Sequence, residues 1–244
     1  MINKIKAIIL KALGYEIGSK LYEVSPYGTH ASFLSASLEF VKNTSTGNYF
    51  LIEIGTGGES SRILRNHILN NPKANLISME SDQEWIAKYQ SEYLDHERHE
   101  IIEVSKNSSW LGELEKLVTR IGRERIELAF IDSAPWESRT ISALILRDVS
   151  KLLLIHDVDY FPRTRTWGTE LEPIQFKRES KKKYGSLTKE KIGKRNYDDM
   201  FKSWVECFPV IPGYFTGPPT LIGSNFMDVK KLKFAADTIV LSND

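Results

Sequence analysis

Residues Tyr49 to Leu64, YFLIEIGTGGESSRIL, constrain the fold of this chain more than any other stretch. The run Phe50-Leu51-Ile52 is continuously apolar, as a buried strand requires. It ends in Glu53-Ile54-Gly55-Thr56-Gly57-Gly58-Glu59-Ser60, and a helical pattern follows. A strand, a tight glycine turn and a helix start form the first unit of a nucleotide- or cofactor-binding α/β sheet. Glycines at 55 and 57 let the backbone turn sharply and approach a ligand where a Cβ would clash. The free N–H groups at the helix start can receive polar ligand atoms.

Strand and helix signals then alternate, which points to a mostly parallel sheet. Helical spacing through Leu64, Ile68 and Leu69 ends at Asn70-Asn71-Pro72, and a strand follows over Asn75–Glu80. Helical patterns through Trp85, Ile86 and Tyr89, from Trp110 to about Ile121, and over 137–150 separate strands at Ile101–Val104, Ile126–Ile131 and Lys151–Ile155. The strand ends carry chemistry. Glu80 closes the second strand, with Ser81-Asp82 as a helix cap behind it. A carboxylate there lies beside the glycine turn and can accept both hydroxyls of a ribose. Asp132 ends the fourth strand, and His156, Asp157 and Asp159 follow the fifth. Core packing explains such groups poorly at the edge where α/β sheets bind ligands.

The chain has 244 residues, 41% apolar and 27% charged, which fits one globular domain. We divide it into an N-terminal helical extension (1–48), a cofactor-binding core (49–159), a basic insertion or lid (160–195) and a C-terminal part (196–244). In the extension, Ile5, Ile8, Ile9, Ala12 and Leu13 form an amphipathic stripe, too short to span a bilayer. It is expected to pack on the domain or on a partner subunit, giving an oligomer. Pro26 and Gly28 mark a turn before a helix through Phe33, Leu34, Leu38, Phe40 and Val41, with Tyr27 and His30 as further site candidates. In the insertion, basic residues such as Arg163, Arg165, Lys181 and Lys191 alternate with Trp167, Phe176 and Tyr184 in a loop-like region. Placed after the fifth strand, it reads as a lid suited to an anionic substrate. Tyr197 to Phe208 reads as a helix, and Pro209-Val210-Ile211 with Thr220–Asn225 as a closing pair of strands. Net charge is +1, so nothing global favours nucleic acid as a partner. Cys207 is the only cysteine, which excludes an internal disulfide and suits a reducing, cytoplasmic setting.

Glu53-Ile54-Gly55-Thr56-Gly57 resembles motif I, (D/E)-x-G-x-G, of the class I S-adenosylmethionine-dependent methyltransferases. Position 60, where a dinucleotide fingerprint has its third glycine, is serine. The resemblance implies a Rossmann-like three-layer α/β sandwich with a mostly parallel seven-stranded sheet and a reversed terminal strand. It implies S-adenosyl-L-methionine as cofactor, with Glu53 holding its methionine part. Gly55, Thr56 and Gly57 would line it, Glu80 and Ser81 would meet the ribose, and Asp132 would lie near the methyl group. His156-Asp157-Val158-Asp159 also resembles the strand-five motif of O-methyltransferases of sugars and polysaccharides, which implies a small-molecule or saccharide hydroxyl as acceptor. His156, Asp157 and Asp132 are then the catalytic candidates, with His156 or Asp157 as the base. A divalent cation on Asp132, Asp157 and Asp159 is not favoured. Catechol-type metal-dependent relatives have Asp-Asn after strand five, and here Val158 follows Asp157. Two other readings stand beside this one. One is an NAD- or nucleotide-sugar-dependent enzyme, and the other a non-catalytic interaction protein with the same fold. No Asn/Asp-Pro-Pro-Tyr/Phe motif follows strand four, which argues against amino methylation of nucleic acid.

Overall fold

A computed structural model of the chain describes residues 16–17, 30–92, 96–104, 110–122, 125–133, 136–158, 160–162, 173–175, 197, 200–209, 219–234 and 238–242. The strands are β1 (Glu16–Ile17), β2 (Tyr49–Ile54), β3 (Ala74–Glu80), β4 (His99–Glu103), β5 (Ile126–Ile131), β6 (Ser150–His156), β7 (Tyr160–Pro162), β8 (Pro173–Gln175), β9 (Ser203–Pro209), β10 (Thr220–Ser224) and β11 (Thr238–Ser242). The helices are α1 (Ala31–Thr44), α2 (Gly58–Asn70), α3 (Gln83–Glu92), α4 (Trp110–Ile121) and α5 (Trp136–Leu146).

Nine strands form one sheet in the order β1-β11-β9-β10-β6-β5-β2-β3-β4. Strands β2 to β6 pair in parallel, and β10 runs antiparallel to both β6 and β9. The seven strands from β4 to β9 in sheet order are the mostly parallel sheet expected from the sequence, with β10 as its reversed strand. Beyond β9 the sheet is extended by β11 and β1, each antiparallel to its neighbour.

Period-two alternation builds a core on each face. Leu51, Leu76, Leu128, Phe130, Leu152 and Leu154 face α1 and α2, which bury Phe33, Leu34, Leu38, Leu64 and Ile68 against them. The intervening Ile52, Ile77, Ala129, Ile131, Leu153 and Ile155 face α4 and α5, which contribute Leu114, Leu117, Ala143 and Leu146. The result is three layers, helices on both faces of one sheet. Among the described residues no helix is long and apolar enough to cross a membrane.

One sequence reading is overturned here. The helix expected from Tyr197 to Phe208 is instead strand β9 over Ser203–Pro209. Trp204, Val205, Glu206 and Cys207 are all buried; Val205 and Cys207 join one core and Trp204 the other. Pairing on both sides, with β10 and β11, decides the conformation of this β-prone segment. The closing strand expected from Pro209 therefore begins earlier, and Val210 and Ile211 lie outside the described residues. So do the amphipathic stripe of residues 5–13, Tyr27, the loop 105–109 and Asp159. Of the basic insertion, only the backbone of β7 and β8 is described, an antiparallel pair within the stretch read as loop; its basic side chains lie outside the described residues.

Candidate active site

The parallel register brings the carboxyl ends of the strands into line. Ile54 pairs with Met79 on one side and Ile131 on the other, Ile131 with Ile155, and His156 with Thr220 of β10. The chain leaving β2 turns at Gly55, whose φ is +85°. A Cβ there would lie 2.5 Å from Ser133 Cα and 2.7 Å from the Asp132 carbonyl oxygen. Only glycine permits this backbone-on-backbone contact between the loops after β2 and β5.

Two carboxylates flank the glycine loop, in different roles. Glu53 is fully buried and accepts hydrogen bonds from Ser60 Oγ (2.9 Å), Ser61 Oγ (2.8 Å) and Ser78 Oγ (2.7 Å). Burial pushes its carboxyl up to about 7, and the three serine hydroxyls pull only partly the other way. It ties the first turn of α2 to β3 from beneath. Glu80 brackets the loop from the neighbouring strand. Its Oε2 accepts from Thr56 N at 2.7 Å and Thr56 Oγ1 at 3.0 Å; its Oε1 accepts from Ser81 N at 2.7 Å and Asp82 N at 2.9 Å. These four contacts fill the ordinary capacity of a carboxylate. The Thr56 hydroxyl is the one donor among them that rotates freely.

A second polar group lies at the ends of β5 and β6. The backbone ladder continues past β5, with Asp132 N donating to Ile54 O at 2.9 Å. Two-residue spacing therefore puts Asp132 on the same face as Phe130, and His156 on the same face as Leu154, the face covered by α1. Arg139, buried on α5, donates to Ser133 O (2.6 Å), His156 O (2.7 Å) and Asp132 Oδ1 (2.7 Å). Loss of solvent pushes the Asp132 carboxyl up, against the pull of the Arg139 guanidinium. His156 Nδ1 lies 3.0 Å from Thr220 Oγ1, and its Nε2 lies 3.3 Å from Asp157 Oδ1. Asp157 has φ +52°, a left-handed conformation that aspartate adopts more readily than most residues and that turns the chain sharply at the end of β6. His30, at the start of α1, meets the His156 ring edge-on at 4.6 Å and the Phe130 ring at 4.9 Å. Burial, then the neighbouring His156, lowers its imidazole to about 3, so the ring is neutral.

No family model matches the chain, and no curated protein matches it in sequence. Solved structures of similar shape do exist. The METTL16 methyltransferase domain is 11% identical, with 93% of this chain and 80% of that chain covered and a TM-score of 0.49. A human methyltransferase 10 domain containing protein is 11% identical over 93% of this chain and 96% of that one, with a TM-score of 0.47. A spermidine synthase in complex with the transition-state analogue AdoDATO is 14% identical over 84% and 62% of the two chains, with a TM-score of 0.45. The fold itself, a mostly parallel sheet with one reversed strand and helices on both faces, is a Rossmann-like three-layer α/β sandwich.

In this fold the expected site residues form two groups along one sheet edge. Gly55, Thr56, Gly57, Glu80 and Ser81 surround the turn after β2, with Glu53 beneath. Asp132, His156 and Asp157 gather at the ends of β5 and β6. Sequence reasoning missed Arg139 and Thr220. The signal for Arg139 was a polar row on α5, where Ser138, Arg139 and Ser142 are all buried. Thr220 is recognisable only from the β6–β10 register. An open polar groove between α1 and α2, lined by Lys42, Arg62, Asn66 and His67 among others, lies on the flank of the sheet and holds none of these residues.

Proposed function

We propose that this protein is an S-adenosylmethionine-dependent methyltransferase that methylates a hydroxyl of a small molecule or saccharide. The observation that carries the reading is the bracket formed by Glu80 and the Gly55-Thr56-Gly57 turn. It sets a carboxylate with backbone donors at the end of β3, beside a turn whose backbone can approach a ligand closely. The residues fit the cofactor with one rearrangement: when the Thr56 hydroxyl rotates away, Glu80 Oε2 has room to accept from one ribose hydroxyl. Ser81 flanks this position, and Glu53 acts from beneath by holding Ser60 and Ser61 in place. Bound S-adenosylmethionine would supply an electrophilic methyl group on a sulfonium.

The remaining residues serve the acceptor. Asp132, fixed by Arg139, orients polar groups at the edge. Asp157 is the base this geometry favours: its side chain is 20% exposed, against 9% for His156, whose two nitrogens already face Thr220 and Asp157. We assign the basic stretch 160–195 to an anionic acceptor, the apolar stripe of residues 5–13 to self-association, and the cytoplasm as the compartment. The single buried thiol of Cys207 is in keeping with that compartment.

Calorimetry with S-adenosylmethionine, S-adenosylhomocysteine and NAD tests the reading. Wild type is expected to bind both sulfur compounds. Glu80→Ala loses at least about tenfold in affinity, or about 1.4 kcal/mol. Thr56→Val binds at least as tightly as wild type, because the one side-chain donor that competes for Glu80 is then gone. Binding of NAD alone, or of none of the three by folded protein, refutes it.

A further inference from the structure

We propose that His30, Asp132 and His156 form a binding site for one divalent first-row transition-metal ion, such as zinc or iron(II). Each residue offers one ligand atom, and the three atoms lie within 4.8 Å of one another. They come from three separate places in the chain: the start of α1, the loop after β5 and the end of β6. The strand periodicity that puts Asp132 and His156 on the α1 face is what brings them under His30.

The state of His30 points to a ligand. It is 5% exposed, and neither ring nitrogen has a hydrogen-bond partner among the described residues. Buried imidazoles are ordinarily hydrogen-bonded, and this one instead abuts a second imidazole at 4.6 Å. A cation shared between the two rings and the carboxylate gives one His30 nitrogen a partner and separates the two imidazoles' lone pairs.

The other two groups are already supported from behind, as metal ligands usually are. Arg139 Nη2 holds Asp132 Oδ1 at 2.7 Å, leaving the second oxygen of that carboxylate for the ion. His156 Nδ1 sits 3.0 Å from Thr220 Oγ1. When its N–H is donated there, Nε2 is left unprotonated 3.3 Å from Asp157 Oδ1, two electron-rich atoms that a nearby cation reconciles. Bonds of about 2.1 Å place the ligands of a tetrahedral ion about 3.4 Å apart, so the three atoms draw in by up to about 1.4 Å on binding. Two imidazoles and one carboxylate suit zinc, iron(II), cobalt or nickel; magnesium and calcium prefer oxygen donors throughout. This set therefore differs in chemistry from the all-carboxylate group of Asp132, Asp157 and Asp159 considered from sequence. Three protein ligands leave further coordination positions open. The site rests on protein groups alone and stands whether or not the chain binds S-adenosylmethionine.

The test uses the full chain, freed of metal by dialysis against a chelator and titrated with zinc or cobalt(II). One ion per chain is expected. His30→Gln and His156→Gln should each weaken binding by more than about tenfold, since even loss of a supporting residue costs about 10–100-fold. His96→Gln, at the opposite edge of the sheet, should bind as wild type does. Imidazole NMR of the unsubstituted protein covers the case in which a variant fails to fold. The chain has 5 histidines, and zinc should shift the ring signals of His30 and His156 while leaving those of His67, His96 and His99 in place. Absence of stoichiometric binding by folded wild type, or zinc-induced shifts confined to the other three histidines, overturns the proposal. Calorimetry with S-adenosylmethionine on the same metal-free sample reads the methyltransferase assignment separately.

Discussion

Glu53→Gln should remove a pH dependence that Glu53 alone imposes on stability. The carboxyl is fully buried and raised from an ordinary 4.5 to about 7, with desolvation the largest cause. Between those two values the folded chain holds a proton that the unfolded chain has released. Stability linked to Glu53 is therefore complete below pH 4.5 and is lost as pH rises towards 7, with no further change above. The shift of roughly 2.5 units corresponds to about 3 kcal/mol at 1.36 kcal/mol per unit. Glutamine keeps the contacts: its carbonyl oxygen accepts from Ser60 and Ser61, and its amide donates to Ser78 Oγ. Other groups titrate with the opposite sign. His30 is lowered to about 3, and His67 and His99 to about 4, so each adds stability as pH rises towards 6.5. The comparison must therefore be a difference. Urea unfolding of wild type and Glu53→Gln at several pH values from 5 to 8 gives it, because the shared histidine contributions cancel. Wild type should lose ground against the variant by about 2–3 kcal/mol between pH 5 and 7, with a plateau above. A constant gap across the range, or one that closes as pH rises, would refute the account of Glu53 as a desolvated acid.

Gly55→Ala should destabilise the protein by at least about 2 kcal/mol in urea unfolding, because it combines a left-handed φ with a Cβ driven into the Asp132–Ser133 backbone. Arg139→Met should cost about 3–5 kcal/mol, since it strips the Asp132 carboxylate and two carbonyls of their donor. Arg139→Lys should recover only part of that, because one ammonium cannot reproduce a three-way guanidinium contact.

The sequence made the sheet legible because its signals were local. The glycine turn, the continuous apolar strands and the helical spacing of Trp110–Ile121 all sit where the structure has them. The β9 segment failed for a non-local reason. Nothing in Trp204-Val205-Glu206-Cys207 announces that strands on both sides will claim its backbone, and that pairing decides against the helix read there. The candidate site divides in the same way. Glu80, Asp132 and His156 could be found because each ends a recognisable strand. The burial of Glu53, the clamp made by Arg139 and the meeting of His30 with His156 depend on how α1, α2 and α5 lie across the sheet, which no short stretch encodes.

Arg139 also changes how the strand-end groups should be understood. Read along the chain, Asp132 and His156 are independent polar residues at the ends of two strands. In the fold a single guanidinium from α5 reaches the carboxylate of one and the carbonyl of the other, and holds the Ser133 carbonyl as well. That same Asp132–Ser133 backbone is the surface on which Gly55 rests. The glycine turn on one side and the His156–Asp157 corner on the other are therefore fixed to one short segment after β5. Groups joined in this way do not contribute additively. A change at Arg139 or Gly55 reaches both halves of the site through Asp132, although neither residue needs to touch a bound molecule. The segment after β5 thus sets the spacing between the glycine turn with Glu80 and the His156–Asp157 corner.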